Sequence, residues 1–123
     1  MSLTYSSMLD LGTNLIKFNL LNSLTGNKFS SDSIDKEKPT LIMFICNHCP
    51  YVIHYHRELI KFSNDYSKTV NMIAISSNDI VNYPEDSPEK MKEIWSKLGL
   101  SFPYLYDETQ TIAKAYKAEC TPE

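Results

Sequence analysis

The sequence predicts an α/β fold with parallel strands at its centre, and three observations carry that reading. Residues 40–45, "TLIMFI", and residues 70–76, "VNMIAIS", are continuous apolar runs of strand length, as expected of strands covered on both faces. Between them, residues 47–66 contain no glycine and place Val52, Tyr55, Leu59, Phe62 and Tyr66 at helical spacing. Strand, crossover helix and strand in that order form a right-handed parallel unit. The first of these strands should then be central in its sheet.

The remaining elements follow along the chain. Ile16, Phe18 and Leu20 alternate with their neighbours, and "LTGNKF" supplies Gly26 and Asn27 as turn formers before Phe29, which predicts a β-hairpin. The Ser/Asp/Lys-rich stretch at residues 30–39 reads as a connection rather than a domain boundary. Further on, Ser87 caps a helix with Pro88 at its first position. Met91, Ile94, Trp95 and Leu98 share one face of that helix, and Gly99 stops it. Residues 102–107, "FPYLYD", are short and extended. Asp107 and Gln110 suggest a capping box for a last short helix carrying Ile112, Ala113 and Tyr116.

At 123 residues and 42% hydrophobic, the chain is expected to form one domain, residues 1–123, around one core. A net charge of -3 and a single arginine, Arg57, offer no basic patch for phosphates, so nucleic acid is not an expected partner. The first residues lack the basic start, apolar stretch and small-residue cleavage site of a signal peptide, and no later run is long enough to span a bilayer. A cytoplasmic protein with no membrane partner is the expectation.

The chemistry concentrates in "FICNHCPYV", where Cys46 and Cys49 sit at the junction of the apolar strand and the helix. Three cysteines are too few for a disulfide scaffold, so the pair reads as redox or metal chemistry. A helix N-terminus offers unpaired N–H groups and a positive partial charge that favour a thiolate. That position assigns Cys46 as the thiol that attacks a substrate disulfide. Cys49, one turn further in, would then attack the mixed disulfide and release the reduced product. His48, between them, would stabilise the thiolate when protonated; it could equally be a solvent-facing loop residue. His54 and His56 are two apart on a helix, point to different faces and read as ordinary helix histidines. Cys120 is either an unremarkable loop thiol before Pro122 or a third redox thiol facing the pair.

The segments "CNHCPYV", "ISSND", "YPEDSPEKM", "FPYLYDETQ" and "AYKAECTP" agree in order with one group of proteins. Through them the sequence resembles, from about Leu9 to its last residue, the thioredoxin-like redoxins of the AhpC/TSA and thiol-disulfide oxidoreductase group. The resemblance implies a three-layer α/β/α thioredoxin-like fold with an extra N-terminal β-hairpin. It also implies Cys46 as nucleophile, Cys49 as resolving thiol, and Thr121 and Pro122 as a cis-proline loop that aligns the substrate backbone. Protein or small-molecule disulfides are the implied substrates and a thiol reductant the implied partner, with no cofactor.

Two departures bear on this. Peroxiredoxins of similar pattern place a Thr or Ser three residues before the reactive cysteine, where its hydroxyl orients the peroxide. Here Met43 holds that position, and a thioether cannot donate the hydrogen bond. Arg57, on the helix, does not replace the arginine those enzymes use. A thiol-dependent peroxidase is therefore the second enzyme reading. The non-enzyme readings are a thioredoxin-fold module holding zinc or copper(I) through Cys46, Cys49, Cys120 and a histidine, against which no bound metal is expected, and a redox-inactive interaction piece. In thioredoxin-like proteins a strand pair and a closing helix follow the cis-proline. Their absence after Glu123 leads to the expectation that residues 41–45 form a sheet edge, and that the chain self-associates there or is completed by another segment.

Overall fold

The structure, a computed structural model, describes residues 12, 14–47, 54–77 and 84–116. Among these residues five strands form one sheet: β1 (Asn19–Asn22), β2 (Lys28–Ser30), β3 (Thr40–Phe44), β4 (Asn71–Ser76) and β5 (Tyr104–Tyr106). Among them too are the helices α1 (His56–Tyr66), α2 (Pro88–Leu98) and α3 (Thr111–Ala115). Short 3-10 turns lie at Ser31–Ser33 and Pro84–Asp86. The strand order is β2-β1-β5-β4-β3.

The expected hairpin forms, with Leu20 opposite Phe29 in an antiparallel register. Gly26 adopts φ 77° in its turn, a conformation that costs a residue with a Cβ. β3 runs parallel to β4, with Ile42 beside Ile73, and β4 runs parallel to β5, with Ile75 beside Leu105. The antiparallel pairing of β1 with β5 joins the hairpin to the parallel part.

The apolar run alone placed β3 at the centre of its sheet, whereas the comparison with a complete thioredoxin-like sheet made it an edge; it is the last strand in the order, hydrogen-bonded on one side only among the described residues. The fully covered strand is β4, buried from Met72 to Ser76, whereas residues 40–43 of β3 are only half-buried. Apolar runs report burial of side chains on two faces, and an end strand lying between helices satisfies that without a second neighbour. The capping box is corrected. Asp107 Oδ2 accepts the backbone N–H groups of Ile112 and Ala113, at 3.1 and 2.9 Å. Gln110 does not reach back; its Nε2 donates to the Ser77 carbonyl, and its backbone takes φ 62°.

α2 matches its expectation in full. The Ser87 hydroxyl accepts the Lys90 N–H, Pro88 opens the helix, and Gly99 closes it at φ 72°. Met91 and Trp95 are buried, with Ile94 and Leu98 packed beside them. The core divides across the sheet. One face gathers Ile45, Cys46, Ala74, Met91, Trp95, Leu100 and Tyr104, with Leu59 and Ile60 of α1 against them. The other gathers Phe18, Ile34, Phe44, Ile73, Ile75, Leu105 and Ile112. Helices therefore cover both faces of the sheet, as the α/β/α layering requires.

Candidate active site around Cys46

β3 delivers Cys46 to the C-terminal edge of the parallel strands, where ligands of open α/β sheets gather. Strand alternation would send Cys46 to the same face as Phe44. The regular strand ends at Phe44, however; Ile45 N–H still bonds the Ile75 carbonyl at 3.0 Å, and Cys46 then turns onto the face already occupied by Ile45. There it is 1% exposed. The helix N-terminus argument favours an exposed sulfur, so this burial is a finding that the sequence did not anticipate.

Asn47, the next residue, is held from three directions. Its N–H donates to Asp86 Oδ1 at 2.7 Å, and its Nδ2 donates to the Glu85 carbonyl at 2.8 Å. Its Oδ1 accepts the Tyr104 hydroxyl at 2.8 Å. Asp86 and Tyr104 are both fully buried. Tyr104 lies against the Trp95 ring, centroids 4.0 Å apart, and Trp95 Nε1 donates to the Phe102 carbonyl at 3.0 Å. Burial pushes the Tyr104 phenol well above its ordinary value, and negative charge at Cys46 and at Asp86 pushes it the same way. The phenol therefore stays protonated and acts as a donor.

Of the site residues read from sequence, Cys46 lies in the described structure. His48, Cys49, Cys120, Thr121 and Pro122 lie outside the described residues, as does the expected start of the helix at the Cys pair. His56 opens α1, and partial burial lowers its pKa; His54 lies two residues before it, its ring meeting Tyr55 edge-on at 5.3 Å. Met43 packs into the Cys46 core. Among the described residues no three His, Cys, Asp or Glu side chains converge as a metal site requires, and no helix is long and apolar enough to cross a membrane.

Sequence reasoning missed Asn47, Asp86 and Tyr104. Asp86 sits just before the Ser87 cap of α2 and Tyr104 within a short extended segment, and neither position marks a site residue. Only their separations of 39 and 57 residues from Asn47, closed by the fold, make them neighbours.

The family model described as Redoxin matches residues 11–123. A solved structure from Geobacillus kaustophilus, described as an uncharacterized conserved protein, is 52% identical with a TM-score of 0.89 and covers 95% of this chain and 62% of that one. A hypothetical protein from Sinorhizobium meliloti 1021 is 37% identical with a TM-score of 0.87, covering 95% of this chain and 64% of that one. The chain thus spans a little under two thirds of the length of these two. A secreted Mycobacterium tuberculosis disulfide oxidoreductase is 22% identical with a TM-score of 0.69, covering 85% of this chain and 71% of that one. That likeness concerns the fold, which is thioredoxin-like. No curated protein matches the sequence.

Proposed function

The chain belongs to the redoxin family, and on that premise we propose that it is a thiol-disulfide oxidoreductase working through Cys46 and Cys49. The observation that carries this reading is the placement of Cys46 at the end of a parallel strand, with the following residue locked by three hydrogen bonds. A nucleophile held by its own backbone in this way keeps its geometry through successive attacks.

The Cys46 thiolate attacks one sulfur of a substrate disulfide. The substrate S–S bond breaks, and the leaving sulfur takes a proton from solvent. The Cys49 thiolate then attacks Cys46 in the mixed disulfide, releasing the second substrate thiol and leaving a Cys46–Cys49 disulfide. Two electrons pass from protein to substrate, and a thiol reductant returns them. Thr121 and Pro122 flank the substrate in this scheme, His48 tunes the thiols, and Cys120 is available as a third. The last described residue, Tyr116, packs its ring 6.0 Å from that of Phe44, two residues before Cys46.

Cys46→Ser is expected to reduce disulfide reduction to background, while Cys49→Ser accumulates a mixed disulfide visible by mass. A double variant that still reduces a model disulfide would place the chemistry elsewhere. Peroxide consumption matching disulfide reduction would favour the thiol peroxidase, although Met43 offers no hydroxyl to a peroxide. The edge of β3 that has no strand neighbour among the described residues lies beside an apolar groove of about 480 Å³ lined by Leu41, Met43, Ile45, Leu59 and Phe62. These features support self-association there, and a concentration-independent monomer in sedimentation at micromolar concentration would exclude it.

A further inference from the structure

We propose that the Ser76 hydroxyl is the hydrogen-bond donor that meets the Cys46 sulfur when it becomes a thiolate, and that it thereby makes a buried cysteine competent as a nucleophile. This deepens the oxidoreductase reading and rests on it for the role of Cys46. Ser76 is the last residue of β4 and is 0% exposed, yet its Oγ has no hydrogen-bond partner among the described residues. A hydroxyl buried in that state costs free energy that an alanine would not, so its presence calls for a physical reason. The neighbouring serine shows the contrast: Ser77 Oγ donates to Asp107 Oδ2 at 2.9 Å, from the opposite side of the strand. Asp107 Oδ1 is also unpaired, but its carboxylate is held through Oδ2 by three donors. No described group holds the Ser76 hydroxyl.

Strand register puts this hydroxyl beside the cysteine. β3 and β4 are parallel with Phe44 opposite Ile75, and the Ile45 N–H continues the ladder to the Ile75 carbonyl. One residue further along each strand, Ile45 stands beside Ser76. Cys46 follows, turned onto the face of Ile45 and Ala74, and Ser76 shares that face because it lies two residues after Ala74. Adjacent strands are about 4.8 Å apart and successive Cα atoms about 3.8 Å, so the Cα atoms of Cys46 and Ser76 are within about 9 Å of each other. A serine Oγ turns among its staggered χ1 positions without moving the backbone. When the thiol releases its proton to solvent, the sulfur becomes a charge that accepts hydrogen bonds. A donor in the same apolar layer counts most there, where water is scarce.

The titratable groups around Cys46 are the same in wild type and in the variants below. Tyr104 of β5 and Asp86 ahead of α2 are buried, and the half-buried Tyr106 of β5 packs against the same cluster. On α1, Glu58, Lys61, Asp65 and Tyr66, with Tyr55 just before it, line the groove beside Ile45. Glu85, Lys90, Glu93 and Lys97 line a cleft beside Asn47. His48 and Cys49 follow Asn47 in the chain. Removing one uncharged hydroxyl alters none of these charges, so a change in Cys46 reports the hydroxyl itself.

The test is iodoacetamide labelling of Cys46 in the full chain, read peptide by peptide across pH. The plateau rate reports access to the buried sulfur, and the midpoint reports its thiolate. Ser76→Ala should raise the midpoint by about one unit, which slows labelling about tenfold at pH values below both midpoints. Disulfide exchange should fall by a similar factor there and approach wild type as pH passes both midpoints. Ser76→Thr keeps a hydroxyl at the position and should bring the midpoint back towards wild type. Ser77→Ala removes the adjacent hydroxyl, which already has a partner, and should leave the midpoint where it is. In urea at pH below the midpoint, Ser76→Ala should be no less stable than wild type, because no bond is lost. Lower stability with an unmoved midpoint would mark a merely structural serine and overturn the proposal, as would an equal shift in Ser77→Ala. Labelling does not require turnover, so a chain that exchanges no disulfide refutes the oxidoreductase reading by itself, while an unmoved midpoint in an active chain refutes only the role of Ser76.

Discussion

The two faces of the sheet use the same strands for different ends. Alternate residues of β3, β4 and β5 send Phe44, Ile73, Ile75 and Leu105 to one side and Ile45, Ala74 and Tyr104 to the other. The first side is an aliphatic and aromatic core closed by Phe18, Ile112 and Tyr116, with the polar Tyr116 hydroxyl kept at its rim on the Ile16 backbone. The second buries a thiol, a carboxylate and a phenol within the same layer as Trp95 and Met91. A small residue, Ala74, stands where its neighbours on β4 are isoleucines. The comparison teaches that one face supplies most of the undirected burial. The other accepts polar groups at the cost of having to satisfy them, and thereby gains a fixed position for Asn47.

The largest test of this division is Trp95→Ala. It removes a fully buried ring that stacks on Tyr104 and caps the Phe102 carbonyl, and should cost about 4 kcal/mol in denaturant unfolding. It should also speed Cys46 labelling before global unfolding, because Tyr104 loses its support. Ile75→Ala, on the opposite face, should cost about 3 kcal/mol and leave native-state labelling unchanged. Equal acceleration in the two variants would mean that the faces yield together.

Smaller effects sharpen the contrast. Tyr104→Phe should cost about 1–2 kcal/mol by leaving Asn47 Oδ1 without its buried donor. The wild-type phenol, raised above the ordinary value of 10.0, contributes stability that is fully present below that value and lost as pH rises through the raised one. Alkaline unfolding curves of wild type and Tyr104→Phe should therefore converge as pH climbs past the tyrosine range, and parallel curves would contradict the shift. The smallest change expected is Asp107→Ala, about 1 kcal/mol from loss of the two N–H bonds that start α3. It should not alter Cys46 labelling.

Local chemistry was enough to determine the elements. The Ser87–Pro88 start and Gly99 stop of α2, the apolar runs of β3 and β4, and the Gly26 turn are each decided within a few residues by backbone sterics and capping, which act without a partner elsewhere in the chain. The Cys-x-x-Cys pair was read from the sequence on the same kind of local information, its three-residue spacing, and of that pair the described structure holds Cys46. Order within the sheet is not local information. β3 carries as apolar a run as β4 yet is the last strand among the described residues; that edge was expected from the likeness to a longer thioredoxin-like sheet and not from the run itself, because side-chain hydrophobicity reports what covers the faces and says nothing about which backbone edge is paired. Nor did any pattern reveal that Asp86 and Tyr104 close on Asn47. Those contacts join residues brought together by the return of β5 alongside β4 and by the turn that precedes α2, and long-range hydrogen bonds of that kind exist only once the sheet has formed.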